Sequence, residues 1–140
     1  MEEETMTDLE RAREFFKNDR YASETTGIVI EEVSENYAKC SLKLDERHLN
    51  AVGNPMGGVM YTLADFVFAV STNFGKDTVT VTAVSQICYL GAPKGKVLYG
   101  ESRLLKDGRT TCFYEVDITD DLGTKVAVVT TTGSHIQRKA

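Results

Sequence analysis

Gly57-Gly58-Val59-Met60-Tyr61-Thr62-Leu63-Ala64-Asp65-Phe66-Val67-Phe68-Ala69-Val70-Ser71 is the most apolar stretch of this 140-residue chain, and it decides the fold. Its composition predicts one long helix, from Gly57 to about Phe74, that is wrapped in the core. One acidic residue, Asp65, lies at its centre. Burying an ionised carboxylate without partners is costly, so we expect Asp65 to be paired, capped or chemically active.

The segment that leads into this helix is polar and rich in glycine. It reads Asn50-Ala51-Val52-Gly53-Asn54-Pro55-Met56-Gly57-Gly58 and leaves backbone N–H groups without partners where the helix begins. The positive end of a helix dipole favours a polarised carbonyl oxygen at such a place. The two segments together predict a site that combines an acid or base with an electrophile-binding helix end.

Strand patterns flank the predicted helix on both sides. Short turns such as Asp107-Gly108 join them and suit antiparallel neighbours. An antiparallel meander cannot cover both of its faces, so the predicted architecture is α+β, with a curved sheet wrapped around the helix. The predicted strands are Gly27–Val33, Tyr37–Leu44, Thr78–Leu90, Gly95–Leu105, Thr110–Thr119 and Lys125–Ile136.

Length and capping signals indicate the domain organisation. Thr7-Asp8-Leu9-Glu10 has capping-box spacing and predicts a short amphipathic helix at about residues 5–18. A chain of 140 residues suits one domain with a substantial core. We therefore expect a single domain over residues 1–140, with its core at about residues 25–137.

Charge and cysteine usage limit the classes of partner and compartment. A net charge of -5 argues against nucleic-acid binding, which needs clustered Lys and Arg. Cys40, Cys88 and Cys112 lie far apart without CxxC spacing, and we interpret them as three reduced core thiols of a cytoplasmic protein. No signal-peptide pattern is present, and the apolar segment is short and contains Asp65, so a membrane span is not expected.

The two histidines do not predict a metal site. His48 lies near the helix entry and His135 in the last strand, and neither has ligand spacing. We therefore expect neither a metal nor a redox cofactor.

The pattern Asn50-x-x-Gly53-x-x-x-Gly57-Gly58-x-x-x-x-x-Ala64-Asp65 resembles the helix-entry motif of hotdog-fold thioesterases of the phenylacetate-degradation (PaaI-like) and 4-hydroxybenzoyl-CoA thioesterase type. The hairpins at Lys106–Thr110 and Asp121–Ala127 are similar to that family in kind and order, and the resemblance covers roughly residues 25–137. It implies a hotdog fold, an acyl- or aryl-acyl-CoA substrate and active sites at the interface of a homodimer, or of a tetramer made of two dimers.

The helix spacing supports a shared site independently. Gly57 and Asp65 are eight positions apart, which is about 12 Å of rise and a rotation of about 80° on a helix. They cannot serve one carbonyl from one helix. If both act on one thioester, one must come from each subunit, and a two-fold dimer supplies two such composite sites.

The resemblance also implies roles for four residues. The Gly57 N–H would polarise the thioester carbonyl, while Asp65 would act as a general base on water or as a nucleophile. Asn50 would orient the water or hold the carbonyl, and it also suits a simple turn residue. Thr82 matches the place where related enzymes carry a hydroxyl that bonds to the acid or the water.

The chain departs from the family at Met56. Many members carry His immediately before the Gly-Gly pair, and a methionine cannot donate a strong hydrogen bond. The alternative function is therefore a non-catalytic acyl-CoA binding or sensing protein, and a hotdog dehydratase is a third, although its acid and His pairing has no counterpart here. Expected substrate contacts are Gly58 and, at the acyl group, Met56, Met60, Tyr61 and Phe68. Candidate partners of the CoA phosphates are Lys94, Lys96, Arg103, Lys106 and Arg109, which also suit a solvated basic rim.

Overall fold

A computed structural model describes residues 5–137, which form two α-helices and one six-stranded sheet. Helix α1 spans Asp8–Phe16 and helix α2 spans Gly57–Asn73. A π-helical turn at Tyr21–Thr26 and a 3₁₀ turn at Glu46–His48 lie between them. The strands are β1 Ile28–Ser34, β2 Tyr37–Lys43, β3 Val79–Tyr89, β4 Val97–Asp107, β5 Thr111–Asp120 and β6 Lys125–Ile136. The predicted α+β architecture is confirmed; of the predicted domain range, residues 1–4 and 138–140 lie outside the described part.

The sheet has the order β1-β2-β4-β5-β6-β3, and all neighbours are antiparallel. Helix α1 packs beside β1, where the Arg13 Nε donates to the Ile30 carbonyl at 2.8 Å. The opposite edge, β3, pairs only with β6 within residues 5–137. An edge strand of eleven residues therefore presents unpaired backbone groups along one side of the molecule.

Helix α2 lies on one face of the sheet because this packing removes its apolar side chains from water. Leu63 and Val67 are fully buried, and both press against β4 at Gly100. A Cβ at Gly100 would lie 3.0 Å from Val67 Cγ2 and 3.1 Å from Leu63 Cγ. The glycine thus permits the close approach of helix and sheet that fixes the height of α2 above the strands.

Helix α1 begins as its capping signal predicts. The Thr7 hydroxyl accepts the Glu10 N–H at 3.1 Å, which satisfies one free donor of the first turn. Ala12 and Phe16 are buried, and the Phe16 ring meets Phe66 of α2 edge to face at 6.0 Å. The short helix therefore covers part of α2 as well as the β1 edge. No helix of the described residues is both long and apolar enough to cross a membrane.

Asp120 is a buried carboxylate with a structural role. Burial alone would raise its pKa, but its oxygens accept four backbone N–H groups at 2.8 to 3.0 Å, and those bonds hold the pKa far below its usual range. The donors belong to the 94–95 segment before β4 and to the turn between β5 and β6. Asp120 therefore fastens two adjacent turns at one end of the sheet.

The expectation of three core thiols is wrong for one cysteine. Cys40 and Cys112 are buried, whereas Cys88 is exposed on β3. The sequence pattern of β3 resembles that of a buried strand, but its edge position leaves most of its residues uncovered in the single chain.

Candidate active site

Asp65 does not lie in the core as the apolar composition of α2 predicts; it is exposed in the single chain. The helix buries the face that meets the sheet, and a stripe running from Gly58 through Thr62 and Asp65 to Ala69 points away from the sheet. These positions recur at intervals of three and four, as one face of a helix requires. The carboxylate therefore lies on the uncovered face of an otherwise buried helix.

The surroundings of Asp65 nevertheless raise its pKa. The largest cause is desolvation, because neighbouring protein atoms partly shield the carboxylate from water, and the negative charge of Asp19 raises the pKa further. The hydroxyl of Thr82 on β3 acts in the opposite direction by hydrogen bonding to the carboxylate. The structure thus brings together Asp65 and Thr82, two of the residues that sequence reasoning selected, and adds Asp19.

The start of α2 has the features of a carbonyl-binding helix end. Met56 is extended, with φ of -65° and ψ of 140°, and Gly57 is the first helical residue. The N–H groups of Gly57 and Gly58 have no acceptor among residues 5–137, as expected for the first turn of a helix. These two donors and the helix dipole make this end a place where a developing negative charge is stabilised.

Tyr89 at the end of β3 fixes this helix start. Its hydroxyl donates to the Gly57 carbonyl at 2.8 Å, and its ring lies so close that a Cβ on Gly57 would be 2.7 Å from the oxygen. Gly58 has open space at the same place. Glycine at position 57 therefore leaves room for the Tyr89 hydroxyl, a contact that no motif in the sequence indicates.

Two cavities lie along the uncovered face of α2. One of about 380 Å³ is lined by Met56, Gly58 and Tyr61, and another of about 270 Å³ is lined by Asp19 and Asp65. Tyr21 and Thr62 line both cavities. The two spaces thus follow one side of the helix from its start to its middle. The largest cavity, about 900 Å³, lies beside α1 and touches neither Gly57 nor Asp65.

Asn50 organises the loop before α2. Its Oδ1 accepts the N–H groups of Val52 and Asn54, each at 3.1 Å, and its own N–H donates to the Asn54 carbonyl at 2.7 Å. Gly53 completes the turn with φ of 86°, a left-handed conformation that favours glycine. The structure therefore gives Asn50 a turn role, and only its Nδ2 is without a partner among the described residues.

The remaining predicted site residues lie in different surroundings. Met56 is 59% exposed, whereas Met60 and Phe68 are buried in the core, with Phe68 packed edge to face on Tyr114 at 5.5 Å. Arg109 is exposed and lines a cavity at the other end of α2. Of the expected acyl-group contacts, Met56, Gly58 and Tyr61 face the same cavity, and Met60 and Phe68 do not line it.

His48 lies close to the site but is fully occupied. It is buried, its Nε2 hydrogen-bonds to the Thr26 carbonyl at 2.8 Å, and its Nδ1 accepts the Asp45 N–H at 3.0 Å. Both ring nitrogens thus tie the π-helical turn to the 3₁₀ turn. His48 therefore cannot replace the histidine that Met56 lacks.

The curved antiparallel sheet with helix α2 on one face is the hotdog fold of thioester hydrolases. The protein belongs to the thioesterase superfamily, whose family model matches residues 53–127, just over half of the chain. That range includes Gly57, Asp65 and Thr82.

Curated relatives and solved structures agree with this assignment. Human acyl-coenzyme A thioesterase 13 is 33% identical over 85 residues, which are 58% of this chain and 59% of that protein. The hypothetical thioesterase of Streptococcus pneumoniae, solved with coenzyme A, is 28% identical with a TM-score of 0.79, covering 89% of this chain and 99% of that one. The PaaI protein of Escherichia coli, from the phenylacetic acid degradation operon, shares the fold at 21% identity and a TM-score of 0.79, covering 91% and 96%.

Proposed function

We propose that this protein hydrolyses an acyl- or aryl-acyl-CoA thioester to the free acid and CoA. The observation that carries the proposal is Asp65 on the uncovered face of α2, with the Thr82 hydroxyl beside its carboxylate. The names of the human relative and of the Streptococcus pneumoniae structure support coenzyme A as the thiol part of the substrate. The acyl group would occupy the cavity at Met56 and Tyr61.

The reaction needs a base, a donor to the carbonyl and a water. In this proposal the Gly57 N–H donates to the thioester oxygen, and Asp65 removes a proton from the attacking water. The new C–O bond forms, the C–S bond breaks, and the proton passes to the leaving thiolate. Direct attack by Asp65 would give an anhydride that water then opens, and the geometry is compatible with both routes.

A dimer formed through β3 would bring the two halves of the site together. Thr82 marks the Asp65 end of β3 and Tyr89 marks the Gly57 end. The two are seven residues apart, which is about 23 Å along a strand. A bulge at Ala83 puts Thr82 on the same face as Tyr89 despite their odd separation.

The register of such a pairing can be specified. If two β3 edges pair antiparallel about a two-fold axis at Gln86, and Ala83 is again the extra residue of a bulge, Thr82 lies opposite the partner's Tyr89. Directly opposite residues point to the same face, at about 5 Å between Cβ atoms. Asp65 of one subunit would then lie near the Gly57 helix start of the other.

The alternative function is a non-catalytic acyl-CoA binding or sensing protein. The observation that favours it is the exposed Met56 beside a His48 whose two ring nitrogens are already bonded. No imidazole is therefore available beside Gly57 to help position a thioester. Catalysis in this protein would depend on the Gly57 N–H and Asp65 without help from an imidazole.

Thiol release from a panel of acyl- and aryl-CoAs tests the two functions. We expect saturable hydrolysis of at least one ester, with a thermal midpoint that rises in the presence of that ester. Free CoA serves as the control ligand because it lacks the reacting bond. Esters that raise the thermal midpoint without any thiol release would favour the binding protein, and no effect of any ester would contradict both functions.

The pH dependence should follow the pKa of Asp65. A base works only when ionised, so kcat/KM is expected to fall as the pH drops through that pKa, which lies above the ordinary value of about 3.9. Asp19→Asn removes a charge that raises the pKa and should move this acidic limb to lower pH. Thr82→Val removes a hydrogen bond that lowers it and should move the limb to higher pH. If the acidic limb of kcat/KM does not shift in either variant, or shifts in the same direction in both, Asp65 is not the base.

A further inference from the structure

We propose that Asp107, Cys112 and His135 form a binding site for a divalent transition-metal ion, with zinc as the best fit. One ligand atom from each lies within 4.8 Å of the others. The cluster lies near the C-terminal end of α2, at the opposite end of the helix from Gly57. It is separate from the proposed thioester site, and the inference does not depend on that function.

The sheet itself places the three residues. Asp107 ends β4 and is paired with Cys112 at the start of β5, and Cys112 is in turn opposite Gly133 of β6. His135 follows two positions later on β6, where its backbone N–H donates to the Thr110 carbonyl at 2.9 Å. Because backbone ladders hold all three strands, the ligand positions are determined by the fold.

The chemistry of the donor set suits zinc. Sulfur, imidazole nitrogen and carboxylate oxygen are its usual ligands, and the thiolate and carboxylate together supply two negative charges. Three protein ligands leave a fourth position toward a cavity of about 220 Å³, which Asp107 and His135 line.

Neighbouring groups already orient the ligands. The Thr80 hydroxyl lies 2.7 Å from His135 Nδ1, while His135 Nε2 lies 2.8 Å from Asp107 Oδ1. When Nδ1 donates to Thr80, the Nε2 lone pair points toward Asp107, and a cation between them replaces the direct contact. The Gly133 N–H donates a hydrogen bond to the Cys112 sulfur. The absence of a side chain at Gly133 leaves room for that sulfur, since a Cβ there would lie only 2.8 Å from it.

The fit needs a limited rearrangement. Zinc bonds of about 2.0 to 2.3 Å imply ligand atoms about 3.5 Å apart. The Asp107 side chain is 40% exposed, so it can make this adjustment without disturbing the core. Lys76 and Arg109 line the same cavity and lower the affinity for a cation, although Lys76 lies 3.7 Å from Glu35. The competing explanation is a hydrogen-bonded chain from Thr80 through His135 to Asp107 that needs no metal.

Metal binding by untagged, chelator-treated protein distinguishes these explanations. We expect calorimetry to give one zinc ion per chain. Cobalt should give a near-ultraviolet thiolate-to-metal charge-transfer band, because Cys112 is a ligand. Cys112→Ser should remove the band, and Asp107→Asn, at an exposed position, should weaken zinc binding about tenfold or more. Cys88→Ser is the matched control, since that thiol is exposed on β3 and should leave both signals unchanged.

A second variant tests the orienting contact. Thr80→Val should lower zinc affinity by about 10-fold to 100-fold while the cobalt band keeps its wavelength, because the ligands themselves remain. Zinc should also raise the thermal midpoint of the wild type and not that of Cys112→Ser. Absence of a one-to-one complex, or zinc and cobalt binding that survives both Cys112→Ser and Asp107→Asn, would overturn the proposal.

Discussion

Replacing Asp65 with Asn is expected to lower kcat by about 10² to 10⁴, the usual contribution of a positioned general base. Asn keeps the size of the side chain and a hydrogen-bond acceptor for Thr82, but it cannot take a proton from water at neutral pH. Affinity for the CoA ester should change little, because the carboxylate acts on water. The measurement is thiol release at saturating substrate, together with ester binding by calorimetry.

The same variant should gain stability, which separates catalysis from folding. The pKa of Asp65 is higher in the folded chain than in the unfolded chain, so the folded state binds more protons between the two values. The free energy of unfolding therefore falls as the pH rises through that window, and at neutral pH the ionised group weakens the fold. Asp65→Asn removes this penalty and should raise the thermal midpoint at pH 7. Wild-type turnover in this variant would refute the role of Asp65.

Two inactive variants should restore activity in one dimer if the site is shared between subunits. Gly57→Val fills the space at the helix start, and the Tyr89 ring that it meets is 51% exposed and can move aside. Coexpressed with Asp65→Asn, it should form mixed dimers in which one of the two sites is intact. Random mixing makes half of the dimers mixed, so about a quarter of the wild-type activity is expected.

The control pair uses residues that the proposal places on the same side of the site. Thr82 lies beside Asp65 in one chain, so Asp65→Asn and Thr82→Val cannot complement each other. Their mixture should keep the mean activity of the two parent dimers. If Gly57→Val with Asp65→Asn also gives only the parental mean, both groups act within one chain and the composite site is excluded. Size-exclusion chromatography must show that each variant still forms the wild-type oligomer.

The fold could be predicted from the sequence because its signals are local. Alternation along the strands, Asp-Gly turns and one long apolar segment each depend on neighbouring residues. Helix α2 is harder to interpret, since so many of its residues are apolar that the narrow uncovered face with Gly58, Thr62 and Asp65 does not stand out in the sequence. The overall composition of the helix predicts Asp65 inside the core, whereas Asp65 lies at the surface of the single chain.

The site is predictable from the sequence where its parts lie on one segment or, as at Thr82, where the family resemblance supplies the position. Gly57 and Asp65 are separated by two helical turns, and their meaning follows from that spacing. Tyr89 reaches Gly57 from β3, and Asp19 reaches Asp65 from the segment after α1, so both depend on tertiary packing. The grouping of three potential metal ligands on β4, β5 and β6 arises from strand register in the same way, and neither histidine shows it by spacing.

Met56 has a consequence for how such enzymes diversify. Its side chain is exposed, while its backbone N–H donates to the His48 carbonyl and its own carbonyl accepts the Val59 N–H in the first turn of the helix. Folding therefore places almost no demand on the side chain at this position, although it borders the cavity at the helix end. Natural selection can exchange it for an imidazole, a thioether or another group with little loss of stability. A change of side-chain chemistry therefore costs little stability at this position, next to the glycine that is proposed to bind the thioester carbonyl.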